Sequence, residues 1–574
     1  MALTVIFVAA LLVAALVLTS MSGSTGKDAV ESYAQAWARA DYRAMREQLA
    51  PSAASAFSAD RLRTLDQRTR ATATTTRVAT GEPREVDDVT WEVPVRISTR
   101  VFGEIRANLR LPVDGDRRVR WAEHLTFPGV PAGASLTRET RMPSRATLQT
   151  RNGTALAQGV TRSSPLGAAA AAAVGSIGGI PPARARRFYE LGYPDTARIG
   201  TSGLERIFES RLAGKPGGEL RAGGRLIASS RPRKAAPVRT TIAADVQQAA
   251  LAALGNRLGG VVAVKPESGE ILGFAGIAFS GLQPPGSTFK IITLSGALEN
   301  GTADLADQFE PAPSANLSGV EVENANREIC GGTLLASFAE SCNSVFAPLG
   351  AKLGAQKLVE TAEAFGFNKR PSIPGAAMSR IPEAGELGDD LAVGSSAIGQ
   401  GKVEASALQM ATVAATIALR GRRPELTLDG RVLNEPAKTV QAVSEATARK
   451  VERAMLAVVN QGTGVLAAIP FGKVAGKTGT AELRATQECK AGEQPVPTTS
   501  TNPDGSTSTV PPVIDPGVRP CPAVDDPTDT DAWFASYAPA GAPRVAVGVL
   551  LVASGTGRDT AAPAARAVML AALK

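Results

Sequence analysis

The apolar positions of the chain begin with an almost unbroken run over Ala2–Leu18. This run is at the short limit for a membrane-spanning helix and long for the core of a signal peptide. Because no clear A-x-A cleavage site or lipid-accepting cysteine follows, it predicts an uncleaved anchor in residues 1–22, with a cleaved signal as the alternative. The bulk of a single-pass protein would then lie on the extracytoplasmic side of the cell membrane. No Lys or Arg precedes the run, which suggests that the true start codon lies upstream of Met1.

The second region, residues 26–130, has the pattern of a small α+β domain. Apolar residues recur at helical intervals through Lys27–Leu49, and alternation then places Trp91, Val93, Val95 and Ile97 on one face of a strand. A further strand is predicted over Arg118–Phe127. No site is obvious in this region.

The remaining chain divides near residue 238. Residues 131–238 are irregular and rich in turn signals, as expected for a pedestal or docking module. From residue 239 to residue 574, strand-like segments flank a long helical middle, and residues 259–276 are predicted to form a buried hairpin. This pattern predicts a large α/β domain.

Composition excludes several classes of chemistry. The net charge is +8, yet no basic patch with interleaved aromatics occurs, so nucleic acid is not an expected partner. The charge would suit an anionic lipid or wall polymer, but an ordinary solvated surface is the favoured explanation. The one histidine, His124, lies far upstream of every candidate nucleophile, which argues against a Ser-His-Asp mechanism. Four scattered cysteines without a CxxC pair give no reason to expect a metal or another cofactor.

The cysteines instead favour disulfides in an exported chain. Proximity in sequence favours pairing Cys330 with Cys342, and Cys489 with Cys521, among three possible connectivities. The second pair would close a long Pro/Thr/Ser-rich insert. Four free thiols are the alternative.

Three short signatures occur in order within the large domain: Ser287-Thr-Phe-Lys290, Ser341-Cys-Asn343 and Lys477-Thr-Gly-Thr480. Ser287 and Lys290 are one helical turn apart, so their side chains face the same way. Each signature alone is weak, because a serine before a helix is commonly only its N-cap. Their order and common domain are what suggest a site.

This set resembles the motifs of active-site serine β-lactamases and penicillin-binding proteins. Longer blocks are similar to class B penicillin-binding proteins: PPGSTFKI, SCNSVFA, IGQGKVEASALQMA, DAWFASYAP, SRATLQTRNGTALA and GTSGLERIFESRLAGKPGG. Residues 26–130 resemble the NTF2-like module of the low-affinity branch that is associated with antibiotic resistance. Thr147 and Thr150 depart from the pedestal pattern of the class B proteins. The insert after KTGTAEL is unusually long, and it could be a functional lid over the cleft or a neutral surface loop.

The implied fold is a multidomain α+β protein with a membrane anchor, an NTF2-like domain, a dimerisation-type pedestal and a C-terminal transpeptidase-like α/β sandwich. Ser287 is the expected nucleophile and Lys290 the base that accepts its proton. A neutral Lys290 requires a lowered pKa, from burial or from Lys477 as a second cation. Ser341 would relay a proton to the leaving amine, and Asn343 would hold the donor peptide's amide.

The resemblance also implies the substrate contacts of the third signature. The N–H groups of Ser287 and Thr480 would form the oxyanion hole. Lys477 and Thr478 would bind the terminal carboxylate of a D-Ala-D-Ala stem peptide or of a β-lactam. Gly479 would let the substrate backbone approach closely, with the peptide added along the strand.

The expected function is peptidoglycan cross-linking by a monofunctional D,D-transpeptidase, which is acylated by β-lactams and works beside a separate, membrane-embedded glycan polymerase. A D,D-carboxypeptidase or class D-like β-lactamase is the enzymatic alternative. The non-enzymatic alternative is a β-lactam sensor or cell-division scaffold that retains the acylating serine.

Overall fold

The computed structural model describes residues 26–482, 498–501, 507–510 and 530–574. The predicted anchor and the second cysteine pair, Cys489 and Cys521, lie outside these ranges. Among the described residues, no helix has the length and apolar character needed to cross a membrane. The same residues contain no group of three or more His, Cys, Asp or Glu side chains placed to hold a metal ion.

The residues that the structure describes form two compact units. One unit contains residues up to Thr147 together with Gln158–Thr161 and Ser176–Pro237. The other contains Leu148–Ala157, Arg162–Gly175 and Val238–Lys574. Two pieces of the predicted pedestal therefore belong to the same unit as the large α/β domain.

The first unit begins with four helices and a four-stranded antiparallel sheet. The helices are Gly26–Arg39, Tyr42–Glu47, Pro51–Ala56 and Ala59–Ala73. The strands are Thr75–Thr80, Arg84–Asp87, Thr90–Thr99 and Gly103–Pro112. The predicted strand face is confirmed for Val93, Val95 and Ile97, which are all buried. The helical pattern predicted from Lys27 is interrupted at Ala40, which has a positive φ of 57°.

The strand predicted over Arg118–Phe127 is wrong. Only Val119 makes isolated bridges, and Glu123–Thr126 is a 3-10 helix. The N–H of Trp121 donates to Val119 O, a tight turn that ends extended pairing after one residue. Val119 and Trp121 are both buried. The alternation of apolar and polar residues in this segment therefore marks alternate burial in a turn and not a strand.

The rest of the first unit contains short elements around a buried ionic cluster. Its strands are Leu136–Arg141, Ile177–Gly179, Arg198–Gly200, Gly217–Ala222 and Arg225–Ser230, and its helices are Pro182–Glu190, Gly203–Ile207 and Glu209–Leu212. Arg145 Nε lies 2.6 Å from Glu205 Oε2, and Arg145 Nη2 lies 2.7 Å from Glu209 Oε2. Glu205 is fully buried. These charges hold together a segment that has little apolar periodicity.

The second unit is built on a five-stranded antiparallel sheet. Its strands, in spatial order, are Glu270–Gly276, Gly259–Lys265, Val545–Leu551, Thr530–Ala538 and Ala475–Glu482. The first two form the predicted hairpin, which is confirmed. Helices Ala244–Leu254 and Ala562–Ala572 share an apolar core with one face of the sheet. Helix Ala407–Ala418 covers the other face, where a Cβ at Gly548 would lie 2.2 Å from Ala407 O, so only glycine permits this approach.

Further elements of the second unit surround this sheet. The remaining helices are Gly167–Val174, Lys290–Glu299, Leu334–Glu340, Asn343–Leu353, Ala355–Ala364, Asp390–Ala397 and Glu445–Gln461. The short paired strands are Gln308–Ala312 with Cys330–Thr333, Ser314–Leu317 with Val320–Glu323, Arg422–Pro424 with Thr439–Gln441, and Thr498–Thr501 with Thr507–Val510. Leu148–Gln149 lies between Ala155–Ala157 and Val238–Arg239. In the same pedestal piece, Arg151 Nη1 lies 3.0 Å from the buried carboxylate of Glu270, which attaches that piece to the large sheet.

Candidate active site

Ser287 lies in a 3-10 turn, Gly286–Phe289, that leads directly into helix Lys290–Glu299. Between residues 285 and 297, Ser287 is the only one that is not buried. Two hydrogen bonds hold the turn: Thr288 Oγ1 donates to Pro285 O at 2.7 Å, and Gly286 N donates to Gly399 O at 3.0 Å. Ser287 is therefore the one partly exposed residue of an otherwise buried segment.

The Lys290 ammonium joins the first signature to the second. Lys290 Nζ donates to Ser341 O at 2.7 Å and to Asn343 Oδ1 at 2.7 Å, with Ser341 Oγ at 3.4 Å. Among the described contacts, no hydrogen bond links Lys290 to Ser287. A proton transfer from Ser287 therefore requires the amine to turn from one of these acceptors.

The second signature lies at a junction of two helices. Helix Leu334–Glu340 ends at Ser341, whose positive φ of 71° turns the chain, and Asn343 begins the next helix. Between them, buried Cys342 forms a disulfide with Cys330, the pairing that sequence proximity favours. The junction is thus held both by backbone geometry and by a covalent link.

Lys477 lies on the edge strand of the large sheet, Ala475–Glu482, and is fully buried. Its Nζ donates to Thr478 O at 3.1 Å. The hydroxyl of Thr478 lies 2.6 Å from that of Thr463. The third signature therefore places the amine of Lys477 and the hydroxyl of Thr478 on adjacent residues of one strand.

Burial lowers the pKa of both lysines, and the charge of Lys477 lowers that of Lys290 further. Burial, followed by the charge of Lys477, holds the pKa of Lys290 well below its ordinary value. Burial lowers the pKa of Lys477 to about 7, against the opposing effect of Glu340. A neutral Lys290 beside a cationic Lys477 is thus accessible near neutral pH, as a lysine base requires.

Comparison with known proteins agrees with this geometry. The family model described as "Penicillin binding protein transpeptidase domain" matches residues 259–500, and "Penicillin-binding Protein dimerisation domain" matches residues 118–237. The peptidoglycan D,D-transpeptidase PbpA of Mycolicibacterium smegmatis is 33% identical over 456 residues, which cover 67% of this chain and 81% of that protein. PbpA of Mycobacterium tuberculosis is 32% identical over 453 residues. The chain belongs to the class B penicillin-binding proteins.

Solved structures of similar proteins share the fold. The D,D-transpeptidase domain of a peptidoglycan glycosyltransferase from Eggerthella lenta gives a TM-score of 0.57 at 27% identity and covers 75% of this chain and 98% of its own. Penicillin-binding protein A of M. tuberculosis, as its ceftriaxone acyl-enzyme, gives a TM-score of 0.55 at 26% identity, over 76% of this chain and 99% of its own.

In this penicillin-binding protein, Gly479 packs closely against the turn that contains the nucleophile. A Cβ at Gly479 would lie 2.7 Å from Pro285 O, on the side of the nucleophile turn. A Cβ at Gly286 would likewise lie 2.7 Å from Thr480 O. The two glycines therefore let the strand and the turn approach each other, and the approach of substrate backbone to Gly479 stays a prediction.

The same approach brings together the two backbone positions expected to form the oxyanion hole. The Ser287 N–H lies in the first turn of its helix, where such groups have no intrahelical acceptor. Thr480 is only partly exposed, and its Oγ1 accepts a hydrogen bond from Gly557 N at 3.3 Å. Ser287 and Thr480 therefore lie in neighbouring, tightly packed segments.

Two phenylalanines contact the lysines, and sequence reasoning did not single them out. Lys290 Nζ lies 5.6 Å from the ring centroid of Phe346, and Lys477 Nζ lies 5.6 Å from that of Phe338. Aromatic faces stabilise ammonium groups, most strongly where water is excluded. A usable signal existed, because each ring is one helical turn from Ser341 or Asn343.

A second missed feature orients the Asn343 amide. Asn343 Nδ2 donates to Glu323 O at 2.8 Å, so its Oδ1 is free to face Lys290. Next to it, Asn324 Oδ1 accepts from Ser344 N at 2.8 Å, which ties the same hairpin to the start of the helix. No sequence pattern marks these contacts.

Proposed function

We propose that this chain is a serine-type peptidoglycan D,D-transpeptidase, which cross-links stem peptides through an acyl-enzyme on Ser287 and is acylated there by β-lactams. One observation carries the proposal. Lys290 is buried, held by Ser341 and Asn343, and electrostatically destabilised as a cation by Lys477, one helical turn from the partly exposed Ser287. The similar PbpA proteins of M. smegmatis and M. tuberculosis are named as peptidoglycan D,D-transpeptidases.

Acylation follows from these positions. Neutral Lys290 takes the proton of Ser287 as Oγ attacks the carbonyl carbon of the penultimate D-Ala. The N–H groups of Ser287 and Thr480 stabilise the oxyanion that forms. As the intermediate collapses, the C–N bond breaks, and Ser341 relays the proton from Lys290 to the departing D-Ala amine. An acceptor amine from a second stem peptide then attacks the ester and restores the Ser287 hydroxyl.

Substrate binding uses the free edge of the sheet. The strand that contains Lys477 pairs on only one side among the described strands. A donor peptide added along the other side would place its terminal carboxylate at Lys477 and Thr478. The amide of Asn343 would hold the donor peptide at the opposite wall.

Intact-mass spectrometry after incubation with a penicillin tests the nucleophile. Wild type is expected to gain one adduct, Ser287→Ala none, and Lys290→Ala an adduct only after a greatly prolonged incubation. Ser280→Ala is the matched control, because Ser280 is an exposed serine seven residues upstream, and it should be acylated like wild type. An unmodified wild type, or an adduct retained by Ser287→Ala, would overturn the mechanism.

Two further measurements separate the alternatives. A penicillin adduct that hydrolyses within seconds would favour a β-lactamase, and release of D-Ala without cross-linked product would favour a carboxypeptidase. Full restoration of growth and cross-linking by Ser287→Ala would favour a scaffold or sensor. We expect a persistent adduct, formation of cross-links, and no complementation.

The N-terminal features extend this proposal. The apolar run Ala2–Leu18 supports a single-pass anchor that places the enzyme outside the cell membrane. Four helices followed by an antiparallel sheet support an NTF2-like domain in residues 26–130. Glycan strands would come from a separate membrane-embedded polymerase, with which this chain would work. Protease accessibility of intact spheroplasts tests the orientation: cleavage of the bulk of the chain from outside is expected, and full protection would contradict it.

A further inference from the structure

A cavity of about 310 Å3 lies in the same unit as the candidate active site, and none of the candidate active-site residues lines it. Three pieces of the chain surround it: residues 369–373, the start of helix Ala407–Ala418, and the short strand pair Arg422–Pro424 and Thr439–Gln441. Its volume is at the lower end for small-molecule sites in proteins. Nothing in the transpeptidase mechanism uses this cavity.

The lining of this cavity is strongly basic. Four of its residues are cationic and one, Glu425, is acidic; the cations are Lys369, Arg370, Arg423 and Lys438. No carboxylate in the described part of the chain lies within ion-pair distance of any of the four cations. Basic side chains gathered around a concave surface attract anions more strongly than the same charges on a flat surface.

Arg423 is the residue that points most clearly to a ligand. It is half-buried, and its Nε donates to Ala364 O at 2.9 Å, which fixes the plane of the guanidinium. Burial lowers the pKa of Arg423, with no described carboxylate to offset it. A guanidinium held in one plane with its terminal nitrogens available suits bidentate binding of an oxyanion.

A glycine keeps the space beside Arg423 open. Gly366 lines the cavity with φ of +106°, and a Cβ there would lie 3.5 Å from Arg423 Nη1 and 3.4 Å from Gln409 Nε2. Gln409 Nε2 is itself held by Phe365 O at 2.8 Å. Two fixed nitrogen groups therefore border one small volume that a side chain at 366 would occupy.

We propose that this cavity is a second, non-catalytic binding site for a ligand that carries a phosphoryl group, either a free phosphate compound or the phosphodiester of an anionic wall polymer. The guanidinium of Arg423 would bind two phosphoryl oxygens. Lys369, Arg370 and Lys438 would neutralise the remaining charge at the rim. The lining carries four cations and one carboxylate, Glu425. This excess of positive charge suits a phosphoryl ligand better than a ligand with a single carboxylate group.

Isothermal titration calorimetry on the full chain tests the site with inorganic phosphate, a glycerol-phosphate oligomer and acetate as separate titrants. Saturable binding of phosphate or of the oligomer is expected, with acetate at least tenfold weaker. Arg423→Gln should weaken binding by tenfold or more, and the exposed Lys438→Gln by severalfold. Arg422→Gln is the matched control, because Arg422 is the exposed neighbour on the same strand and does not line the cavity. It should bind within twofold of wild type.

Penicillin acylation serves as the measure of folding for every variant, because none of these residues belongs to the candidate active site. If Arg423→Gln loses acylation, that variant is misfolded, and the phosphate affinity of Lys438→Gln alone tests the proposal. Three results would each overturn the proposal. They are an Arg422→Gln variant that binds as weakly as Arg423→Gln, acetate that binds as tightly as phosphate, and the absence of saturable binding. Comparable affinity per phosphate for both titrants supports a free phosphate compound, and preference for the oligomer supports a wall polymer.

Discussion

Asn343 Oδ1 accepts a 2.7 Å hydrogen bond from Lys290 Nζ, so the residue that begins one helix holds the candidate base of another. The bond from Asn343 Nδ2 to Glu323 O fixes which end of the amide faces the lysine. An amide oxygen is a neutral acceptor, and it stabilises an ammonium less than a carboxylate would. Burial and the charge of Lys477 lower the pKa of Lys290, and a neutral acceptor does not offset that effect as a carboxylate would.

Asn343→Asp therefore tests Lys290 as the base. A carboxylate at this distance would raise the pKa of Lys290, and each unit of increase removes about tenfold of the neutral amine at a given pH below it. We expect penicillin acylation at neutral pH to fall by about tenfold or more, and the acid limb of its pH profile to move to higher pH. Asn343→Ala, the uncharged control, should slow acylation without that upward movement. An unmoved limb in Asn343→Asp would argue against Lys290.

The acylation rate of the wild type is expected to be bell-shaped in pH. It rises as pH passes the lowered pKa of Lys290, because the neutral amine is the base. It falls as pH rises through about 7, because Lys477 loses the charge that binds the ligand's carboxylate. The second-order acylation constant reports the free enzyme and is the quantity to measure. A methyl ester of the same β-lactam has no carboxylate and should show no alkaline limb; an identical limb would contradict this role for Lys477.

Gly479→Ala is expected to separate the strand from the nucleophile turn. The added methyl would lie 2.7 Å from Pro285 O, a backbone atom that cannot swing away. Such overpacking costs about 1–3 kcal/mol and would displace Thr480 from Ser287, so acylation should fall by roughly a hundredfold. Gly385→Ala is the control, because its Cβ meets nothing within 4 Å. Normal acylation of Gly479→Ala in a stopped-flow assay would contradict this account of the glycine.

The sequence predicts the local part of the site and leaves the non-local part open. Ser287 and Lys290 are one helical turn apart, and their flanking apolar residues predict a buried helix start with one exposed hydroxyl. The contacts of Lys290 with Ser341 and Asn343 span 51 and 53 residues. The order of the three signatures implies that these residues lie close together in the fold. It does not show which of their atoms form hydrogen bonds. The role of the Glu323 carbonyl depends on backbone position alone, so no residue type signals it.

The fold shows the same division. The hairpin within residues 259–276 was predictable, because an apolar run, a Pro/Gly-containing turn and a second apolar run are contiguous. The segment Arg118–Phe127 was not, because alternate burial occurs there without a pairing strand. The basic cavity illustrates the limit further: Lys369, Arg423 and Lys438 are separate in sequence, and only the folded chain brings them together.

Removal of the Cys330–Cys342 disulfide is expected to weaken the junction between Ser341 and Asn343. The link closes a short loop of sequence separation 12, for which chain entropy gives a stabilisation of about 3 kcal/mol. The double variant Cys330→Ser, Cys342→Ser should unfold at lower temperature and acylate more slowly, because Cys342 is the residue between Ser341 and Asn343. Single variants would leave a reactive thiol, so the double variant is compared with wild type by thermal unfolding. Unchanged melting and acylation would show that the disulfide supports neither.

Glu205→Gln is expected to destabilise the first unit through Arg145. Glu205 is fully buried, and its Oε2 lies 2.6 Å from Arg145 Nε, so the substitution leaves a nearly buried guanidinium with half its countercharge. Removing one partner of a buried ion pair costs about 3–5 kcal/mol, and the retained Glu209 should keep the loss near the lower figure. Hydrogen exchange is the local measurement, because Gly200 N donates to Glu209 Oε2 at 2.7 Å and should lose protection together with residues 198–212. Glu190→Gln breaks only the exposed pair with Arg186 and should change stability by less than about 0.5 kcal/mol. Equal protection in the two variants would mean that the buried cluster is not what holds this segment.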